Sequence, residues 1–185
     1  MEQAPFFFVA RAGEGSIIEH KGGGAYLLIY LIQHAEAEEE KDDPAKPLSK
    51  NGVRDIRKTG AYLYRNNVRV DQILHSGKLR ARQTAEIVAE FITPVNYRNI
   101  LETDGLSPLD DPGIWDDRLK YLTNDLMLVG HMPHLGRLAS LLLCGDAARD
   151  IISFTMGCVV CQERRELGNW TLRWMITPAC CFCCV

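Results

Sequence analysis

Apolar residues run without interruption from Tyr26 through Leu27, Leu28, Ile29, Tyr30 and Leu31 to Ile32. A strand open to water on one face would alternate, so this run predicts a central strand buried on both faces, stopping at the polar pair Gln33 and His34. A charged loop from Glu36 to Lys46 leads to Pro47-Leu48-Ser49, and Ser49 can cap a helix that carries Val53, Ile56, Gly60 and Leu63 on one side and a basic, solvated face on the other. Asp71 to His75 reads as a second short strand. After a turn at Ser76-Gly77, a helix begins near Arg80 with Thr84, Val88 and Phe91 at helical spacing. Gly105 to Pro112 is rich in turn residues, and Ile114 to Leu122 has a helical pattern. Asp125 to Gly130 predicts a third strand ending at His131, and Pro133 then suits the first turn of a helix burying Leu135, Leu138 and Leu142. Phe154 to Gln162 and Trp170 to Ile176 predict two late strands joined by a polar turn from Glu163 to Asn169.

Strands alternating with helices predict an α/β fold whose mainly parallel sheet is covered on both faces. Ligands of such sheets bind beyond the carboxyl ends of the strands. His34, the loop from Ser76 to Arg80 and His131 all follow a strand's carboxyl end, so the architecture brings them to one rim although they are far apart in the chain. Residues 1–24 contain Gly13, Gly15 and the triplet Gly22-Gly23-Gly24 without sustained periodicity, which predicts a flexible extension before a single domain over residues 25–178. No internal repeat and no later domain boundary is apparent.

Composition narrows the function classes. The chain of 185 residues is 46% hydrophobic and 24% charged, ordinary for one globular domain. A net charge of −3 supplies no basic field, so nucleic acid is not an expected ligand. The apolar stretch Ala25 to Ile32 is far short of the roughly 20 residues that cross a bilayer. Phe6 to Ala10 is too short for a signal sequence and follows no basic segment, so the chain reads as cytoplasmic, without a membrane partner. Of seven cysteines, four crowd into Cys180-Cys181-Phe182-Cys183-Cys184, which is no disulfide framework and reads as a frayed tail over residues 179–185, with a soft-metal or redox role as the alternative. Cys158 and Cys161 would lie on opposite faces of a strand, so a zinc or redox site there needs a bend.

The rim residues suit phosphoryl transfer, which needs an in-line nucleophile and donors for three equatorial oxygens. Neutral imidazole is a competent nucleophile near neutral pH, and arginine at a helix start grips phosphate. His34 would attack while Arg80 and His131 hold the oxygens. Taken singly, His34 reads as a hydrogen-bonded structural residue and Arg80 as a solvated side chain. A metal site at His131 and His134 is disfavoured by Pro133 between them and by the want of a third ligand.

The combination resembles the histidine phosphatases. Leu31-Ile32-Gln33-His34-Ala35-Glu36 is similar to their opening Arg-His-Gly signature, and Pro47-Leu48-Ser49 with Gly52 to the element that follows it. Ser76-Gly77-Lys78-Leu79-Arg80-Ala81-Arg82-Gln83-Thr84-Ala85-Glu86 resembles their Ser-Pro-x-x-Arg-Ala-x-Gln-Thr-Ala-Glu block, and Leu128-Val129-Gly130-His131 the strand of the second histidine. Ile152 to Gly157 and Trp170 to Trp174 look like the end of the SixA-type branch. The resemblance implies a three-layer α/β/α sandwich like phosphoglycerate mutase. It also implies a phosphoryl group carried on His34, phosphate contacts from Gln33, Ser76, Arg80 and His131, and no metal or other cofactor. Gln33 replaces the usual arginine, Ala35 the signature glycine and Gly77 the usual proline. Glu102, Glu36 and Asp104 are the candidate general acids, each by default a loop carboxylate. The implied substrate is a phosphorylated protein, such as a histidine-containing phosphotransfer domain. A small phosphate ester is the alternative, and a binding module without turnover is the reading that Gln33 motivates.

Overall fold

The apolar run becomes β1 (Leu27–Gln33), which lies inside a six-stranded sheet of a computed structural model that describes residues 26–39, 45–92 and 99–181. The glycine-rich residues 1–24, residues 40–44 of the charged loop, and Cys183 and Cys184 lie outside the described residues. Along the chain follow α1 (Lys50–Arg65), β2 (Gln72–His75), α2 (Leu79–Ala89), β3 (Ile100–Glu102), α3 (Gly113–Leu119), β4 (Leu126–Gly130), α4 (His134–Cys144), β5 (Val159–Arg164) and β6 (Trp170–Ile176). The strand order is β3-β2-β4-β1-β5-β6, parallel from β3 to β1 and antiparallel from β1 to β6.

The period of two along the strands builds two cores. Tyr30 and Ile32 of β1 and Met127 and Val129 of β4 join Ile56 and Leu63 of α1 and Ala81, Ala85 and Val88 of α2. Leu27, Ile29, Leu31, Leu126 and Leu128 face the other way, onto Trp115 and Leu119 of α3 and Leu135, Leu138 and Leu142 of α4. The result is the expected α/β/α sandwich. Cutting one of these fully buried leucines to alanine removes roughly 2–5 kcal/mol of stability. Cys158 and Cys161 fall in different cores, as strand alternation requires, and both are free thiols.

Ser49 does cap α1: its Oγ accepts the Gly52 N–H at 3.0 Å and donates to Glu36 Oε1 at 2.5 Å. Gly52 itself is required, because a Cβ there would lie 2.0 Å from the Glu36 carbonyl oxygen. The start of the loop after β1 is thus clamped to the start of α1.

The structure differs from the sequence reading in five places, the first being that α3 stops at Leu119 and not at Leu122. β3 is an additional strand. The first late strand begins at Val159, since Phe154 is buried from a loop. Phe91 lies past the end of α2, with its ring against Gly60 of α1. Cys181, expected in a frayed tail, is 3% exposed and donates its thiol to the Thr177 carbonyl at 3.3 Å, because the 3-10 turn Pro178–Cys180 folds back on the domain.

Candidate active site

Sheet register sets the site. β1 and β4 run parallel with Gln33 beside Gly130, so the next residues, His34 and His131, leave the sheet side by side. The His34 N–H donates to the Gly130 carbonyl at 3.0 Å, and the two imidazole centroids are 4.9 Å apart. On the other flank β2 pairs with β4 through His75 and Val129, which brings Ser76 up to His131. Ser76 Oγ and His131 Nε2 are 2.6 Å apart.

Arg80 reaches this pair from the first turn of α2, donating Nε–H to His34 Nε2 at 3.1 Å. His34 Nδ1 lies 2.8 Å from the Ala35 carbonyl oxygen, which can only accept, so the ring proton is on Nδ1 and Nε2 is unprotonated, its lone pair facing the Arg80 N–H. The family-like block around Arg80 holds the neighbours too. Gln83 Oε1 accepts the Leu48 N–H at 2.8 Å, and Thr84 Oγ1 accepts the Ala35 N–H at 3.1 Å. These two positioning residues were hidden in a motif read only for its arginine. Lys78, at the N-cap, makes no side-chain cap bond, which leaves the start of α2 open to an anion.

Burial and the nearby guanidinium keep both imidazoles neutral. His34 is 9% exposed and titrates below its usual range, chiefly through burial; the Ala35 hydrogen bond opposes this and the Arg80 charge adds to it. His131, 2% exposed, is pushed down to about 3 by burial, with the His34, Arg80 and Lys78 charges adding to it, and its Nδ1 has no protein partner. Gln33 is also buried; its Oε1 lacks a protein partner, while its backbone carbonyl accepts the Gly157 N–H at 3.0 Å.

The three carboxylates part company. Glu36 is tied to Ser49, and Asp104 pairs with Arg118 at 2.7 Å, which holds its carboxyl below the usual range. Glu102, at the end of β3, lies over the Ser76-Gly77 turn, where a Cβ on Gly77 would come within 2.3 Å of its carboxylate. Among the described residues no three histidine, cysteine, aspartate or glutamate side chains group as metal ligands, and no helix is long and apolar enough to cross a membrane.

Residues 29–106 match the pattern of the histidine phosphatase superfamily, branch 1. The matched stretch runs from β1 past β3, so it takes in His34, Ser76 and Arg80 but not His131. Phosphohistidine phosphatase SixA of Escherichia coli K12 is 27% identical over 157 residues, covering 82% of this chain and 94% of its own. A structure of the protein histidine phosphatase SixA complexed with tungstate superposes with a TM-score of 0.73 at 24% identity, over 82% of this chain and 97% of that one. Phosphoglycerate mutase from Plasmodium falciparum shares the fold at 19% identity with a TM-score of 0.61, over 80% of this chain and 89% of its own.

Against the histidine phosphatase pattern, the Gly77 departure has a structural cause. Its φ is +78°, a left-handed conformation closed to proline.

Burying neutral histidines has an acid cost. His34, His75, His131 and His134 are each at most 9% exposed and each titrates below 6.5, burial being the first cause in every case. The unfolded chain therefore binds more protons than the native one below about pH 6.5, and stability present above that pH falls as acid is added. Each site contributes a slope of up to about 1.4 kcal/mol per pH unit. Urea midpoints should hold steady from about pH 8 to 7 and drop clearly by about pH 5; an unchanged midpoint at pH 5 would contradict the neutral assignments.

Proposed function

We propose that this protein is a phosphohistidine phosphatase that acts through a phosphoryl group carried on His34, with a phosphorylated signalling protein as substrate. The observation that carries the reading is the contact of Arg80 Nε with His34 Nε2 at 3.1 Å, while Nδ1 is held by the Ala35 carbonyl at 2.8 Å. One nitrogen is aimed at the place where a guanidinium would hold phosphate, and it is unprotonated there. Nε2 attacks phosphorus in line as the bond to the leaving nitrogen breaks, and Arg80, His131, Ser76 and the start of α2 hold the equatorial oxygens. Water then attacks the phosphorus on His34 and frees inorganic phosphate. Of the three carboxylates, the position of Glu102 beside the turn favours it as the group that passes protons to the leaving group and from the water.

A phosphohistidine substrate suits this site because an imidazole protonated on its other nitrogen leaves neutral, whereas an ester expels an alkoxide and leans harder on an acid. The E. coli relative named for phosphohistidine supports the same choice. Gln33 in place of arginine exchanges a charged donor for a neutral one, a loss of about tenfold in rate by hydrogen-bond strengths. That is too small to make the site a mere binding module. A small phosphate ester remains the rival substrate, since the mutase from P. falciparum has the same fold.

The deciding experiment measures phosphate release from a phosphohistidine protein beside an aryl phosphate, each with and without EDTA. Release from the phosphohistidine protein should dominate and be indifferent to chelator, because arginine, imidazole and backbone donors supply the electrostatics. Preference for the aryl phosphate would hand the substrate to the rival reading. Loss of rate in EDTA, restored by zinc or magnesium, would refute the mechanism.

A further inference from the structure

His75 has no part in the chemistry above, yet it is buried one residue before the Ser76-Gly77 turn, 4% exposed at the carboxyl end of β2. Its Nδ1 accepts the Gly77 N–H at 3.1 Å. Its own carbonyl accepts the Thr103 N–H at 2.9 Å, which fixes the end of β3 and with it Glu102. The turn is therefore held from two sides, by an imidazole that takes the backbone proton of Gly77 and by a carboxylate lying across its Cα. Ser76, inside the turn, is the hydrogen-bond partner of His131. A proline at position 77 would have no N–H to offer, so the glycine and the histidine form one device in this chain.

An acceptor at Nδ1 means that the His75 proton sits on Nε2. A second proton would place a donor against the Gly77 donor and break the bond. We propose that His75 is a positioning residue whose neutral imidazole holds the Ser76-Gly77 turn in its phosphate-binding shape, so that protonation of His75 loosens the turn and weakens phosphate binding in acid. The charged groups that face it are Glu102 from β3 and Glu86 and Arg82 from α2. Burial, the largest influence, and Arg82 favour the neutral ring, while the two carboxylates oppose them. The consequence for turnover rests on the phosphatase reading above; the state of the turn does not.

Two variants separate the acceptor from the volume. His75→Asn keeps an oxygen acceptor near Nδ1 and does not titrate, and His75→Leu fills the space without an acceptor. At about pH 7.5, His75→Leu should raise KM and the inhibition constant of inorganic phosphate by about tenfold, the size of one lost hydrogen bond, and speed hydrogen exchange at the Gly77 amide. His75→Asn should stay near wild type in both. Below about pH 6 the phosphate inhibition constant of wild type should rise more steeply than that of His75→Asn, with each protein confirmed folded at that pH. Wild-type KM and Gly77 protection in a folded His75→Leu would overturn the proposal. So would equal impairment of the two variants, or superposable acid limbs for wild type and His75→Asn. Gly77 exchange is read without substrate, so a chain that releases no phosphate would defeat the phosphatase reading while the protection data still decided the role of His75.

Discussion

Replacing His34 with alanine should abolish the covalent phosphoenzyme and lower turnover by at least about 10³-fold, equivalent to about 4 kcal/mol of barrier. No second nitrogen is placed to take over. The His131 ring is 4.9 Å away, centroid to centroid, but its Nε2 is engaged by Ser76, and the Arg80 guanidinium that would steady the phosphoryl group points at His34. Quenching in alkaline detergent during turnover on a labelled phosphoprotein should trap acid-labile, base-stable phosphate on one residue of the wild type and none on His34→Ala. The variant should bind inorganic phosphate still, because Arg80 and the start of α2 remain. Near-normal turnover, or label found on His131 or His134, would sink the assignment of the nucleophile.

His131→Ala should cost at least about 10²-fold in kcat, the scale seen when a preorganised donor to developing charge is removed. His131 is 2% exposed and hydrogen-bonded to Ser76, so its ring is already oriented, and its depressed basicity keeps it neutral near pH 7. Arg80→Ala should act differently, raising the phosphate inhibition constant together with KM, since a guanidinium binds the ground-state dianion as well as the transition state. Ser76→Ala is the control for mere orientation and should lose no more than about tenfold. A His131→Ala enzyme with kcat within a few-fold of wild type would place this side chain outside the chemistry.

Much of the site was legible because its parts follow strand ends. A buried parallel strand needs an unbroken apolar run, and the runs ending at Ile32 and Gly130 pointed His34 and His131 to one rim, while the pairing of β1 with β4 came from the fold. Two parallel strands in register then leave little freedom in where the next two residues meet. β3 escaped because Ile100–Glu102 is only three residues long and its Leu101 is 43% exposed, so it offers neither an apolar run nor alternation. The choice among Glu36, Glu102 and Asp104 was closed to sequence for a related reason: a carboxylate's surroundings depend on Ser49, Arg118 and Gly77, which only the folded loops bring near. His75 looked like the last residue of a strand, and nothing in a periodic pattern marks a ring nitrogen that accepts from a backbone amide two residues on.

The hydrogen bond from His34 Nδ1 to the Ala35 carbonyl decides more than orientation. With Nδ1 occupied, a phosphoryl group carried on His34 as proposed would sit on the nitrogen remote from the side-chain stem, and its P–N bond would be the same kind of bond as the one broken in a phosphohistidine donor. Loading from such a donor is an exchange between like bonds, close to thermoneutral and freely reversible, so the irreversible descent falls on the later attack by water. An ester donor would instead have to climb from a stable P–O bond to a labile P–N bond before that descent begins. Under the proposed mechanism the backbone carbonyl of Ala35 thereby fixes which ring nitrogen carries the phosphoryl group.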